Sequence, residues 1–83
     1  WNKMTQKEIK DDHRRLQNNL ILCQKILGRL TLCTAIDVTP STWTTRMKEP
    51  WKRFSYDDFR LIAQIAGISV ETLVFGTVQL DGK

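Results

Sequence analysis

The sequence of 83 residues predicts a single all-α domain. Apolar residues recur at intervals of three, four or seven, and helix-capping residues stand before the apolar segments. No two alternating segments are joined by a hairpin turn. A hydrophobic content of 41% with 27% charged residues is typical of a protein that folds in water rather than in a membrane. We predict one domain over residues 5–76, with flexible ends at residues 1–4 and 77–83.

The first helix is predicted to begin after Thr5, because Thr5 and Glu8 have the spacing of a capping box. Gly28 is a suitable end for this helix. A polar stretch at residues 17–19 leaves open a break into two pieces, although the periodicity favours one long helix. The apolar face that supports this helix consists of Ile9, Leu16, Leu20, Cys23 and Leu27, with His13 on the same stripe.

Two short helices are predicted next. Thr39 is a favourable N-cap and Pro40 a favourable first helical residue, so the second of these helices begins directly after a tight turn. Trp43 and Met47 lie four residues apart and are predicted to face inward. This helix ends by Glu49, because the following proline disfavours helical backbone before it. The apolar residues of the preceding short helix are Leu30, Cys33 and Ile36.

The remaining chain is predicted to hold a connector and two further helices. Residues 51–54 are the connector, and Ser55 caps a helix that has Asp57 and Asp58 in its first turn. Ser69 caps a last short helix over residues 70–74. Residues 77–80 alternate in polarity and leave open a short edge strand. The apolar stripe before the closing Gly67 is formed by Phe59, Leu61, Ile62, Ile65 and Ala66.

Positive charge is concentrated in the middle of the chain. The net charge is +4, and residues 40–54 carry four cations against the single acid Glu49. A cluster of this kind suits a polyanionic partner, although a merely solvated surface is the alternative. The four cations are Arg46, Lys48, Lys52 and Arg53.

Two short helices joined by a tight turn, the second opening with small hydroxyl residues, have the layout of a helix-turn-helix. The major groove of DNA is about 12 Å wide and admits one such helix. The chain here resembles the XRE family of phage Cro and lambda repressor-like proteins over residues 5–74. The matching positions are Cys33, Ile36 with Val38, Trp43 with Met47, and the closing segment 57–73. The resemblance implies a five-helix lambda repressor-like DNA-binding domain with an extended first helix.

Three positions depart from the pattern of that family. Asp37 stands where the turn commonly has glycine, and it adopts the left-handed conformation only at some cost. Pro40 occupies the usual first contact position and has no side-chain donor. Arg46 stands where an apolar residue is common, so it either passes along the core or points at DNA. Bidentate base recognition is therefore expected to be poorer here than in a typical member of that family.

The resemblance also implies which residues contact DNA. Arg29 would meet a phosphate or a base edge, the hydroxyl residues of the third helix would face the groove floor, and the downstream cations would hold the backbone. The implied function is a phage- or prophage-type transcriptional regulator that binds duplex DNA, with a homodimer as one form in which it would bind. The implied DNA-binding residues are Arg29, Ser41, Thr42, Thr44, Thr45, Arg46, Lys48, Lys52 and Arg53.

The sequence argues against enzymatic chemistry and against a cofactor. The adjacent aspartate pairs at residues 11–12 and 57–58 point in different directions on a helix, and no glycine-rich phosphate loop is present. Cys23 and Cys33, with His13 alone to join them, do not make a metal site and are interpreted as buried residues of a cytoplasmic protein. Trp51 is interpreted first as a cover for the core, with stacking on a sugar or contact with a partner as alternatives. The rival hypothesis is a protein-interaction adaptor that keeps the fold without reading DNA.

Overall fold

The structure is a computed structural model that describes residues 4–79, and this part of the chain forms six helices and no strand. The predicted all-α class is confirmed. Of the flexible ends predicted at residues 1–4 and 77–83, residues 1–3 and 80–83 lie outside the described residues. The latter include Leu80 of the alternative edge strand. The helices are α1 Gln6–Leu27, α2 Arg29–Ile36, α3 Pro40–Arg46, α4 Pro50–Arg53, α5 Tyr56–Ala66 and α6 Val70–Val74.

Helix α1 is a single unbroken helix of 22 residues, so the alternative break at residues 17–19 is wrong. The predicted capping box is confirmed, because Thr5 Oγ1 accepts from the Glu8 backbone N–H and a Glu8 carboxylate oxygen accepts from that of Thr5. Gly28 ends the helix at a φ of 93°. Among the described residues, no single helix is both long and apolar enough to cross a membrane; α1 and α2 meet that criterion only together, across a bend of 109°.

A turn of three residues joins α2 to α3. Asp37 adopts the left-handed conformation, with φ 58° and ψ 54°, as the turn requires. Thr39 Oγ1 accepts from the Thr42 backbone N–H at 3.2 Å, and Pro40 is the first helical residue. The predicted caps at this turn are therefore confirmed, and α3 ends at Arg46, before Glu49.

The segment predicted as a connector at residues 51–54 is instead mostly helical. Pro50 starts α4, and the backbone N–H groups of Lys52 and Arg53 both donate to the Glu49 carbonyl oxygen. Proline has a fixed φ and needs no donor at the first helical position, so the residue predicted to stop α3 instead begins α4. The expectation of five helices is wrong by this one additional turn.

The core lies where α2 packs on α5 and where α1 packs on α2, α4 and α6. Periodicity mispredicted several core positions. Leu30 is 68% exposed, Leu61 and Ile65 are each 41% exposed, and Ile9 also faces solvent. When a short helix has apolar residues on several sides, its sequence does not indicate which side faces inward. Leu32 and Ala63, which lie on these helices, are buried instead. The buried hydrophobic residues are Leu16, Leu20, Cys23, Leu32, Cys33, Ile36, Trp43, Phe54, Phe59, Ile62, Ala63, Leu73 and Val78.

Helices α5 and α6 begin and end at the predicted residues. Ser55 Oγ accepts from the Asp58 backbone N–H, while Asp58 Oδ2 accepts from the Ser55 backbone N–H at 3.0 Å. Gly67 closes α5 in the left-handed conformation, and the Ser69 hydroxyl caps α6. The two helices therefore meet at a sharp turn and pack against each other.

The segment after α6 packs against α1, whereas the sequence predicts a flexible end that begins at residue 77. Val78 is buried, and its backbone N–H donates to Asn19 Oδ1 at 3.0 Å. The Asn19 amide group donates to the carbonyl oxygens of Leu73 and Gly76, each at 2.9 Å. One buried side chain on α1 thus satisfies three backbone groups of the C-terminal segment.

Replacing Asn19 with aspartate is expected to lower the free energy of unfolding by about 3 kcal/mol, because a carboxylate would face the Leu73 and Gly76 carbonyl oxygens, which lose their donors. Urea unfolding followed by circular dichroism measures this change. Asn18→Asp is the matched control, since Asn18 is exposed beside it, and it should change stability by less than about 0.5 kcal/mol. Equal stabilities of the two variants would contradict the role assigned to Asn19.

Candidate nucleic-acid interface

Trp43 fixes helix α3 to the rest of the domain. Its side chain is fully buried, and its indole N–H donates to Gln24 Oε1 at 2.7 Å. The indole also meets the ring of Phe54 edge-on, with centroids 5.2 Å apart. At the end of the helix, Gln17 Nε2 donates to the Met47 carbonyl oxygen at 3.0 Å. Helix α3 is therefore held from below by α1.

The opposite side of α3 is open to solvent. Ser41, Thr44 and Thr45 are exposed, so the hydroxyl side faces outward as the sequence predicted. An open concavity lies between this side and α4, and we call it the α3–α4 surface. It is lined by Ser41, Thr42, Thr45, Arg46, Lys52 and Arg53. All six belong to the set predicted from the sequence.

The three remaining predicted residues lie beside this surface rather than in it. Arg29 is the first residue of α2, and its Nη1 lies 3.4 Å from Thr44 Oγ1, so it reaches the exposed side of α3. Lys48 is exposed in the turn between α3 and α4. The structure therefore brings six of the nine predicted residues into one concavity and places Arg29, Thr44 and Lys48 around it.

The cations of the surface differ in how firmly they are held. Arg46 Nη1 lies 3.1 Å from Asp58 Oδ2, and the two side chains are only 30% and 17% exposed. The Arg46 guanidinium also lies 5.9 Å from the centre of the Phe54 ring. A partly buried arginine with a carboxylate and an aromatic partner is fixed in place. Arg46 therefore supports the surface more than it offers a free charge.

Lys52 and Arg53 keep their charges available. Their side chains are 71% and 51% exposed, and both make long ion pairs with Glu49, at 3.8 and 3.6 Å. Exposed pairs of this kind contribute little stability and are weakened further by salt. Both side chains can therefore exchange the Glu49 carboxylate for an anionic ligand at small cost.

Sequence reasoning missed three residues that shape this surface. Glu49 and Asp58 are the acidic partners of its cations, and Thr39 joins its hydroxyl network through Ser41 and Thr42. The spacing of Glu49 from the cations three and four residues later is a helix signal. It leads into the segment that is predicted from the sequence to be a connector. The ion pair of Arg46 with Asp58 joins two separate helices, so the local sequence gives no signal of it.

The other residues singled out from the sequence lie away from this surface or in the core. Burial raises the pKa of the Cys23 and Cys33 thiols, so both stay protonated at neutral pH.

The rings of His13 and Trp51 stack with centroids 4.3 Å apart, which joins α1 to α4. Trp51 is half-buried and packs against the core, which agrees with its predicted covering role. Residues 4–79 contain no group of three His, Cys, Asp or Glu side chains that could hold a metal ion.

Comparisons with protein-family models, with curated proteins and with solved structures find no match to this chain. A function for this chain is therefore inferred from its sequence pattern and from the geometry of the α3–α4 surface.

Proposed function

We propose that the protein is a DNA-binding transcriptional regulator of the phage or prophage repressor type, with α3 in the major groove of duplex DNA. The observation that carries this proposal is the gathering of six predicted contact residues in one concavity beside an exposed helix. An α-helix with its side chains is about 10–12 Å across, which suits a groove about 12 Å wide.

The roles of the cations follow from their exposure. Lys48, Lys52 and Arg53 bind phosphates on one side of α3, and Arg29 binds a phosphate or base edge from the start of α2. Such contacts set the position of the protein on DNA and make its affinity depend on salt. Arg46 holds α3 in position through Asp58, with which it forms a partly buried ion pair.

The order of the helices supports the finer proposal of a lambda repressor-like domain. A long α1, a three-residue turn between α2 and α3, and the α5–Gly67–α6 corner agree with the family pattern. Helix α4 is additional to the five expected helices. The proposal places the protein in the cytoplasm, involves no cofactor or catalytic step, and allows a homodimer that reads two half-sites.

Titrating a mixed-sequence duplex by fluorescence anisotropy at 50 and 200 mM salt tests this function. With about four phosphates contacted, affinity should fall roughly 100-fold between the two salt concentrations. Absence of binding at 50 mM salt would contradict the proposal.

An exposed apolar region favours a protein-interaction adaptor as the second candidate function. Tyr56 and Phe75 are exposed large side chains, and they border a groove lined also by Phe59, Val70 and Val74. Apolar grooves on a protein surface are one kind of site at which protein partners bind. If duplex DNA does not bind at 50 mM salt, this groove becomes the place to look for a protein partner.

A further inference from the structure

Two threonines of α3 have their hydroxyl protons engaged within the helix. Thr44 Oγ1 donates to the Pro40 carbonyl oxygen, and Thr45 Oγ1 donates to that of Ser41, each at 3.0 Å. A hydroxyl group has one proton, so neither residue can donate to a ligand without breaking these bonds. Thr44 Oγ1 also lies 3.4 Å from Arg29 Nη1 and is occupied on that side. Thr45 lines the α3–α4 surface, and with its proton engaged it can offer a ligand only its methyl group and an accepting oxygen.

The hydroxyl oxygen of Thr42 accepts a hydrogen bond within this segment, whereas those of Thr44 and Thr45 donate. Thr39 Oγ1 donates its proton to Thr42 Oγ1 at 2.9 Å. Ser41 Oγ lies 3.2 Å from the same Thr39 oxygen, and it is the donor there because Thr39 has already given its proton. Within residues 4–79, no contact uses the proton of Thr42. The Thr42 hydroxyl therefore keeps a proton that it can donate to a ligand.

We infer that the α3–α4 surface reads T·A base pairs, with the Thr45 methyl packing on a thymine methyl and Thr42 donating to a base-edge acceptor in the major groove. This inference rests on the proposed function and names the DNA sequence class that it recognises. Thymine is the base that presents a methyl group in the major groove, and its O4 is a hydrogen-bond acceptor. Pro40, at the head of the helix, adds no side-chain donor or acceptor to this readout.

The test begins by selecting bound duplexes from a random pool with the whole chain. The selected duplex is then titrated in two forms, with thymine and with deoxyuridine, which keeps the base pair and O4 but lacks the methyl group. Wild-type affinity should fall about fourfold for each contacted methyl group that is removed. Equal affinity for the two forms overturns the inference and leaves DNA binding intact. A selection that recovers no duplex overturns the proposed function and the inference together.

Two variants at Thr45 separate its methyl group from its hydroxyl. Thr45→Ser keeps the hydroxyl and its bond to Ser41 but lacks the methyl group, and it should bind the two duplex forms equally. Thr45→Val keeps a methyl group and should still prefer the thymine form. The reverse order, with preference kept by serine and lost by valine, overturns the methyl contact. Thr34→Ser is the matched control, because Thr34 is an exposed threonine on α2 outside this surface, and it should behave as wild type.

A variant at Thr42 tests the hydroxyl donor independently. Thr42→Val removes the free proton while it keeps the shape of the side chain. Its affinity for the selected duplex should fall about fivefold, with the ratio between the thymine and deoxyuridine forms unchanged. Unchanged affinity would overturn the donor role of Thr42.

Discussion

Trp43→Ala is expected to lower the free energy of unfolding by about 3–5 kcal/mol, which is the usual cost of truncating a fully buried large aromatic side chain. The indole is completely covered, and its N–H is bonded to Gln24. Removing it leaves a cavity beneath α3 and a glutamine oxygen without its donor. A total stability of about 5–15 kcal/mol is typical of such domains, so this variant stands near the limit of folding. Urea unfolding followed by circular dichroism measures the change.

Trp51→Ala is the matched control for this prediction. It removes the same side chain from a half-buried position, where the ring stacks on His13 and packs against the core. Its cost should be about 1–2 kcal/mol, because an aromatic stack adds about 0.5–1.5 kcal/mol to a partial loss of buried area. Equal costs for the two variants would mean that Trp43 does not anchor α3 in the way described.

The double variant Lys52→Ala with Arg53→Ala is expected to weaken binding to all duplex sequences about equally, by roughly 100-fold at 50 mM salt. Each lost phosphate contact should flatten the slope of log affinity against log salt by about 0.9. Removing the two side chains should change the stability of the fold little, since their ion pairs with Glu49 are long and exposed. Anisotropy titrations over a series of salt concentrations give both quantities.

The control for this variant is Lys7→Ala with Lys10→Ala. It removes the same charge from exposed positions on α1, so it separates local contacts from the net charge of the protein. We expect its salt slope to stay close to that of wild type. If the α4 double variant kept the wild-type slope, Lys52 and Arg53 would not contact phosphates.

Local capping chemistry made much of the fold predictable. The boundaries at Thr5, Gly28, Thr39, Ser55 and Gly67 agree with the structure, because each depends on a backbone need that neighbouring residues meet. The exposed hydroxyl side of α3 was predictable for the same reason. Once the cap and the inward tryptophan are placed, the remaining side chains of a short helix have little choice of direction.

Features that depend on distant contacts could not be predicted in this way. The packing of Val78 depends on Asn19, which lies 59 residues earlier. The burial of Leu32 rather than Leu30 depends on how α2 rests on α5. The one-turn helix α4 is too short for a periodic signal. Its Pro50 signals the end of one helix and the start of the next equally well.

Mapping the DNA contact on the protein in solution tests whether the α3–α4 surface binds duplex DNA. Backbone amide spectra of isotope-labelled protein would be recorded while duplex DNA is added at low salt. We expect the largest shifts at Ser41, Thr42, Thr45, Lys52 and Arg53, with little change around Tyr56 and Phe75. Shifts centred on Tyr56 and Phe75, or an unchanged spectrum, would contradict the claim.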